Sequence, residues 1–130
     1  MDTAEVQQWF AAYFADFVAL GRGDLDDVRR ILDHYGVPLT LSTAEGTQFL
    51  TDEEQLLAVM RRQVEGLSAE GYDRTEQLSA ETTVLNRTAA LHRGRFARLR
   101  ADGTEVARVD ISYLITDGPA GRRISALIVH

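Results

Sequence analysis

Cysteine and lysine are both absent from the 130 residues, and proline occurs only twice. Without cysteine there is no disulfide, no thiolate metal site and no thiol nucleophile. Without lysine there is no Schiff-base chemistry and no P-loop lysine to hold a phosphate. No apolar run approaches the roughly 20 residues of a membrane-spanning helix, and Asp2 and Glu5 stand where a secretory leader carries positive charge. The expectation is a cytoplasmic protein with no membrane partner. An excess of basic residues is missing as well. The net charge is −6, with eleven acids against three arginines up to residue 54 and nine against eleven beyond it. A nucleic-acid binder normally carries a basic domain. The arginines between Arg87 and Arg108 therefore read as a salt-bridged, exposed sheet, and no nucleic-acid partner is expected.

What is present is patterned apolar sequence, at a length that suits one domain over residues 1–130 burying about two thirds of its unfolded surface. Val6, Trp9, Phe10, Tyr13, Phe14, Phe17 and Val18 recur at three-and-four spacing, which predicts a helix over 3–20 ended by Gly21 and Gly23. Asp24 as N-cap and the face Leu25, Val28, Ile31, Leu32 and Tyr35 predict a second helix, stopped by Gly36 before Pro38. Leu39, Leu41 and Phe49 alternate with polar residues around Ala44-Glu45-Gly46, a short hairpin. Thr51 and Glu54 have capping-box spacing ahead of a third helix reaching about Ser68. Strands follow at about 74–85, 88–100, 105–116 and 122–129, separated by turn residues. The order α-α-ββ-α-ββββ is α+β, with three N-terminal helices packed on an antiparallel sheet.

This order, with the Trp9-to-Phe17 helix, the Gly36-Val37-Pro38 exit, the Gly71-Tyr72 stop and the strand pair around Asp102-Gly103, resembles the nuclear transport factor 2-like superfamily. The likeness is greatest to its small bacterial members with polyketide-cyclase-like or unassigned roles. The resemblance implies a strongly curved sheet wrapped on the helices, a conical cavity between them, and often a homodimer through the outer sheet face. It fixes no activity, because the superfamily hosts isomerases, cyclases, dehydratases, transport adaptors and ligand binders.

Strand alternation assigns the faces. A tight turn at 101–104 sets Arg100 against Glu105, Arg95 against Asp110, Phe96 against Val109 and His92 against Tyr113. Ala90, His92, Phe96, Val109, Ile111, Tyr113 and Ile115 then point inward, continued by Ile124, Ala126, Ile128 and His130. The outer face carries Leu91, Arg93, Arg95, Arg108, Asp110, Leu114, Leu127 and Val129, a mixture that suits a homodimer contact or a loop cover.

His92 and Tyr113, neighbours on the apolar face, are the candidate catalytic pair: a general base and an oxyanion donor. The plainer reading, which parity favours, is a core histidine satisfied by the Tyr113 hydroxyl, with Tyr113 filling the sheet. Trp9, Tyr13, Tyr35, Met60, His92, Phe96, Ile111, Tyr113 and Ile128 are the candidate ligand-binding residues. His34 falls off the apolar face and is expected to be exposed. The histidines lack metal-ligand spacing, so neither a metal nor a cofactor is expected. Proton-transfer enzymes of the superfamily place an acid inside the cavity. Here positions 37–40 hold Val, Pro, Leu and Thr, and Asp110 falls outside, paired with Arg95. The reading is a small-molecule-binding domain with an apolar cavity. The alternatives are a cofactor-independent isomerase or cyclase using His92 and a tyrosine, and a dimeric interaction module.

Overall fold

The first helix forms where the aromatic stripe predicts it. In the computed structural model, which describes residues 1–130, α1 (Thr3–Arg22) buries Val6, Phe10, Tyr13, Phe17 and Leu20 along one face. Asp2 caps its start by accepting from the Glu5 amide, and Gly23 closes it in the left-handed region at φ 87°.

The second helix is shorter than its apolar pattern predicts. Only Val28–Asp33 is helical, as a 3-10 turn capped by Asp27. The cause is tertiary: the Ile124 amide donates to the His34 carbonyl at 2.7 Å, and Tyr35 pairs with Ile124 as the start of a strand. Sheet pairing thus claims the backbone that a longer helix would need. Strand β1 (Tyr35–Thr43), which contains a cis Val37–Pro38 peptide, turns back into β2 (Gly46–Leu50) around the expected Ala44–Gly46 corner. The cap of α2 (Glu53–Ala69) lies one residue from where Thr51 and Glu54 put it. Asp52 accepts from the Gln55 amide, and the Gln55 Oε1 accepts from the Thr51 amide and hydroxyl.

Four long strands complete the chain: β3 (Tyr72–Asn86), β4 (Ala89–Arg100), β5 (Glu105–Gly118) and β6 (Gly121–Val129). The sheet runs β2-β1-β6-β5-β4-β3, antiparallel throughout except that β1 lies parallel to β6. It is curved and unclosed, and the helices fill its concave side. His92 faces Tyr113, Arg95 faces Asp110 and Phe96 faces Val109, as the turn length predicts. Nearer the turn an extra residue on β5 sets Leu99, not Arg100, against Glu105.

A second bulge has larger consequences. Ile115 pairs with Ile124 but Leu114 pairs with Ala126, leaving Ser125 as the extra residue. Its hydroxyl is bonded to Thr116 at 3.0 Å. Side-chain period in a strand is two, so one inserted residue exchanges the faces of everything beyond it. Leu127 and Val129 therefore pair with Tyr113 and Ile111 on the inner face, where Leu127 joins the core. Ala126, Ile128 and His130 turn outward, the reverse of the assignment from alternation alone. Ile128 is 40% exposed, and the His130 ring bonds Ser112 on the outer face.

Candidate functional site

Three tyrosines meet inside the cone. Tyr13 comes from α1, Tyr35 from the first residue of β1 and Tyr113 from the middle of β5, all at most 4% exposed. The Tyr13 and Tyr35 hydroxyls are hydrogen bonded at 2.8 Å, and the Tyr13 and Tyr113 rings lie edge-on at 6.0 Å. The Tyr113 phenol lies close enough to Tyr13 for each to bear on the other's titration. Burial is the main reason that all three phenols titrate well above the ordinary tyrosine range. They are neutral donors at any working pH.

Beside these hydroxyls lies a cavity of about 100 Å³. Its sheet wall is Val109, Ile111, Tyr113, Leu127 and Val129, and its helix wall is Tyr13 and Phe17, with Tyr35 from β1. Gln63 of α2 and Arg98 of β4 complete it. None of these is an acid. Asp110 stays on the outer face, where Arg93 grips it through Nε at 3.0 Å and Nη2 at 2.8 Å, with Arg95 3.5 Å away.

A second, shallower space of about 440 Å³ runs along the flank of α1. Gln7, Ala11, Phe14 and Ala15 of the helix face Gln77 and Ala80 of β3, over a floor of Phe10 and His92. The His92 Nδ1 is bonded to the Thr82 hydroxyl at 2.8 Å, and its Nε2 is buried without a partner. Burial lowers the pKa of this ring, so the neutral form prevails at pH 7. The Phe10 ring stacks on His92 at 4.0 Å and meets Tyr113 edge-on at 4.9 Å. The two members of the expected pair, 6.4 Å apart between ring centres, thus belong to different spaces.

The other expected residues divide similarly. Tyr13, Tyr35, Ile111 and Tyr113 line the cone and His92 lines the flank. Met60 is packed in the core, and Phe96 stacks on Phe14 at 5.4 Å. Trp9 is half-buried, edge-on to the His34 ring at 5.8 Å, and Ile128 points away from the cone. His34, expected to be exposed, is only 8% exposed, because the early end of the 3-10 helix turns it inward. Its Nε2 is bonded to Asp16 at 2.8 Å, while Nδ1 is buried and unpartnered. Sequence reasoning missed Arg98, which shares the parity of His92 and Phe96, and the Asp16–His34 pair, whose members come from different elements. No three histidine, aspartate or glutamate side chains converge to hold a metal ion, and no helix is long and apolar enough to cross a membrane.

Comparison with known proteins agrees with this architecture. An NTF-2 like protein of unknown function from Shewanella oneidensis MR-1 is similar over 99% of this chain and 98% of its own, at 18% identity and a TM-score of 0.70. A domain of unknown function with a cystatin-like fold from Nostoc punctiforme PCC 73102 aligns over 99% of this chain and 78% of its own, at 19% identity and a TM-score of 0.71. A putative calcium/calmodulin dependent protein kinase II association domain from Xanthomonas campestris covers 99% of this chain with 86% of its own, at 12% identity and 0.68. At these identities the likeness is one of fold alone. No curated protein matches the sequence. The family profile described as NTF2-like protein (DUF6841) matches residues 4–130, and with nearly the whole sequence matched, the chain belongs to that NTF2-like family.

Proposed function

We propose that this domain binds a small, largely apolar molecule inside the cone. The observation that carries the reading is a cavity walled by Ile111, Leu127 and Val129 with the Tyr113 phenol on its lining. Ligand sites are mostly apolar, with a few placed polar groups that fix orientation. At about 100 Å³ the space is smaller than the roughly 150 Å³ engineered cavity that holds benzene. It accommodates a small ring or a branched chain rather than a drug-sized body. The test uses phenol and cyclohexanol as probes in amide and methyl NMR spectra. Shifts should centre on Ile111, Tyr113 and Leu127. Val129→Phe, at the half-buried rim, should fill the space and abolish them while the melting temperature holds. Equal shifts in Val129→Phe, or none at saturating probe, would remove the proposal.

Base chemistry at His92 with Tyr113 as oxyanion donor is the second reading, and the unpartnered Nε2 favours it. It ranks lower because Phe10 touches both rings, and His92 lines the flank space while Tyr113 lines the cone. It requires that His92→Ala abolish turnover of an identified substrate without lowering the melting temperature. Either function is compatible with pairing of two copies through the outer sheet face, where Leu91 lies directly against Leu114 beside the Arg93–Asp110 pair.

A further inference from the structure

Arg98 is the one charged residue among the ten that line the cone cavity. With Arg61, Arg62, Arg87 and Arg123 it belongs to the minority of this chain's arginines that pair with no carboxylate, and it is the one of these five on the cavity wall. Arg22, Arg29, Arg30, Arg74, Arg93, Arg95, Arg100, Arg108 and Arg122 each reach a carboxylate within 4 Å. Arg98 has neither an ion pair nor a hydrogen bond. Instead its guanidinium lies 5.4 Å from the centre of the Phe17 ring, an arrangement that orients the planar fork and leaves its donors free.

The strand explains the placement. Arg98 shares the inward parity of His92 and Phe96 and pairs with Thr75 and Ala107, neither of which offers an acid. The half-buried side chain therefore reaches the cone from β4, next to Gln63 of α2 and opposite the apolar wall of β5 and β6. An unpaired guanidinium beside an apolar pocket, with neutral phenols at the other side, has a defined chemical complement. It is a molecule with an apolar body and one anionic oxygen group.

We infer that the ligand of the cone is a small carboxylic acid, its carboxylate held by the Arg98 fork and its short apolar body packed between Ile111 and Leu127. The inference rests on the binding reading above and adds the ligand class to it. A carboxylate fits the planar fork with two parallel N–H···O bonds. The cavity volume limits the body to about the size of a six-membered ring or a branched four-carbon chain. Tyr113, on the same lining, donates to a ligand oxygen or stays edge-on to its body. The absence of any lining acid keeps the pocket free of like-charge repulsion.

The probes are benzoate and isovalerate, each against its neutral alcohol, benzyl alcohol and isoamyl alcohol, titrated into the full chain and followed by NMR. The acids should bind roughly tenfold or more tightly than the alcohols, as expected for a charge-assisted bond. The Arg98 Nε–H resonance should move with the acids and not with the alcohols. Arg98→Gln should erase the preference for acids over alcohols, and Arg98→Lys should restore part of it. Arg62→Gln, which removes an exposed charge on α2, should change nothing and so controls for net charge. Should Arg98→Gln fold poorly, the Nε–H shift in the unaltered chain still decides the matter. Acids and alcohols binding equally, with shifts on the cone wall, would overturn the carboxylate and leave the binding reading intact. Absence of cone shifts with all four probes at millimolar concentration would overturn both.

Discussion

His92 has one ring nitrogen bonded to Thr82 and the other buried and unpartnered. Charging that ring would place a cation in the core beside Phe10, so burial depresses its pKa. The unfolded chain binds the proton more tightly, at a pKa of about 6.5. The associated stability is therefore complete above about 6.5 and declines as the pH falls below it. The Cε1–H resonance of His92 should titrate with a midpoint below 6.5, and a midpoint at or above that value would contradict the buried, neutral ring. Asp110 shows the opposite linkage. Hydrogen bonds from Arg93 pull its carboxyl down to about 2, so its contribution is present above the ordinary aspartate value and is lost as the pH falls through about 2. Asp110→Asn should lower the melting temperature at pH 7, with the difference from the parent disappearing near pH 2. At this scale the sequence was legible wherever parity alone decides, as in the opposition of His92 to Tyr113. It was not legible for His34, because its burial depends on a helix that stops early under the demand of sheet pairing.

Among elements, the contrast between two glycines shows which local rules the fold obeys. A Cβ on Gly94 of β4 would lie 2.2 Å from the Phe96 ring, which folds back over the glycine two residues along the same face. That close approach lets Phe96 lie flat and stack on Phe14. Gly94→Ala forces the buried ring away, at an overpacking cost of about 1–3 kcal/mol. Gly66 of α2 has nothing within 4 Å of where a Cβ would stand, so Gly66→Ala should stabilise the chain by about 0.5–1 kcal/mol through helix propensity. Urea denaturation of both variants checks the pair, and equal effects would mean that ring packing over Gly94 contributes nothing. The long strands and α1 were legible because period and breakers agree over many residues. The bulge at Ser125 was not. Ile124-Ser125-Ala126-Leu127-Ile128 alternates too weakly to reveal a one-residue insertion, yet that insertion decides that Leu127 and Val129 wall the cone while Ile128 does not.

The whole molecule presents two unlike surfaces, a concave side filled by helices and an outer sheet face that nothing covers. Across the outer face Thr83, Leu91, Leu114 and Ala126 form one row, and Glu81, Arg93, Ser112 and Ile128 the next. Leu91 and Ile128 are 37% and 40% exposed. The inward turn of Leu127 and Val129 makes this patch less apolar than alternation suggests, and moves its apolar centre to the Leu91–Leu114 pair. A patch with apolar residues beside both signs of charge is self-complementary under a two-fold axis, because Arg93 of one copy can meet Glu81 of the other. Light scattering at micromolar concentration should therefore give twice the chain mass of 14.5 kDa. Leu91→Glu, which sets an acid at the centre of the patch, should reduce it to the single-chain value while leaving probe binding in the cone unchanged, since Leu91 faces away from it. A single-chain mass for the parent protein would mean that the outer face is solvated, and a Leu91→Glu variant that stays dimeric would move the contact to another surface.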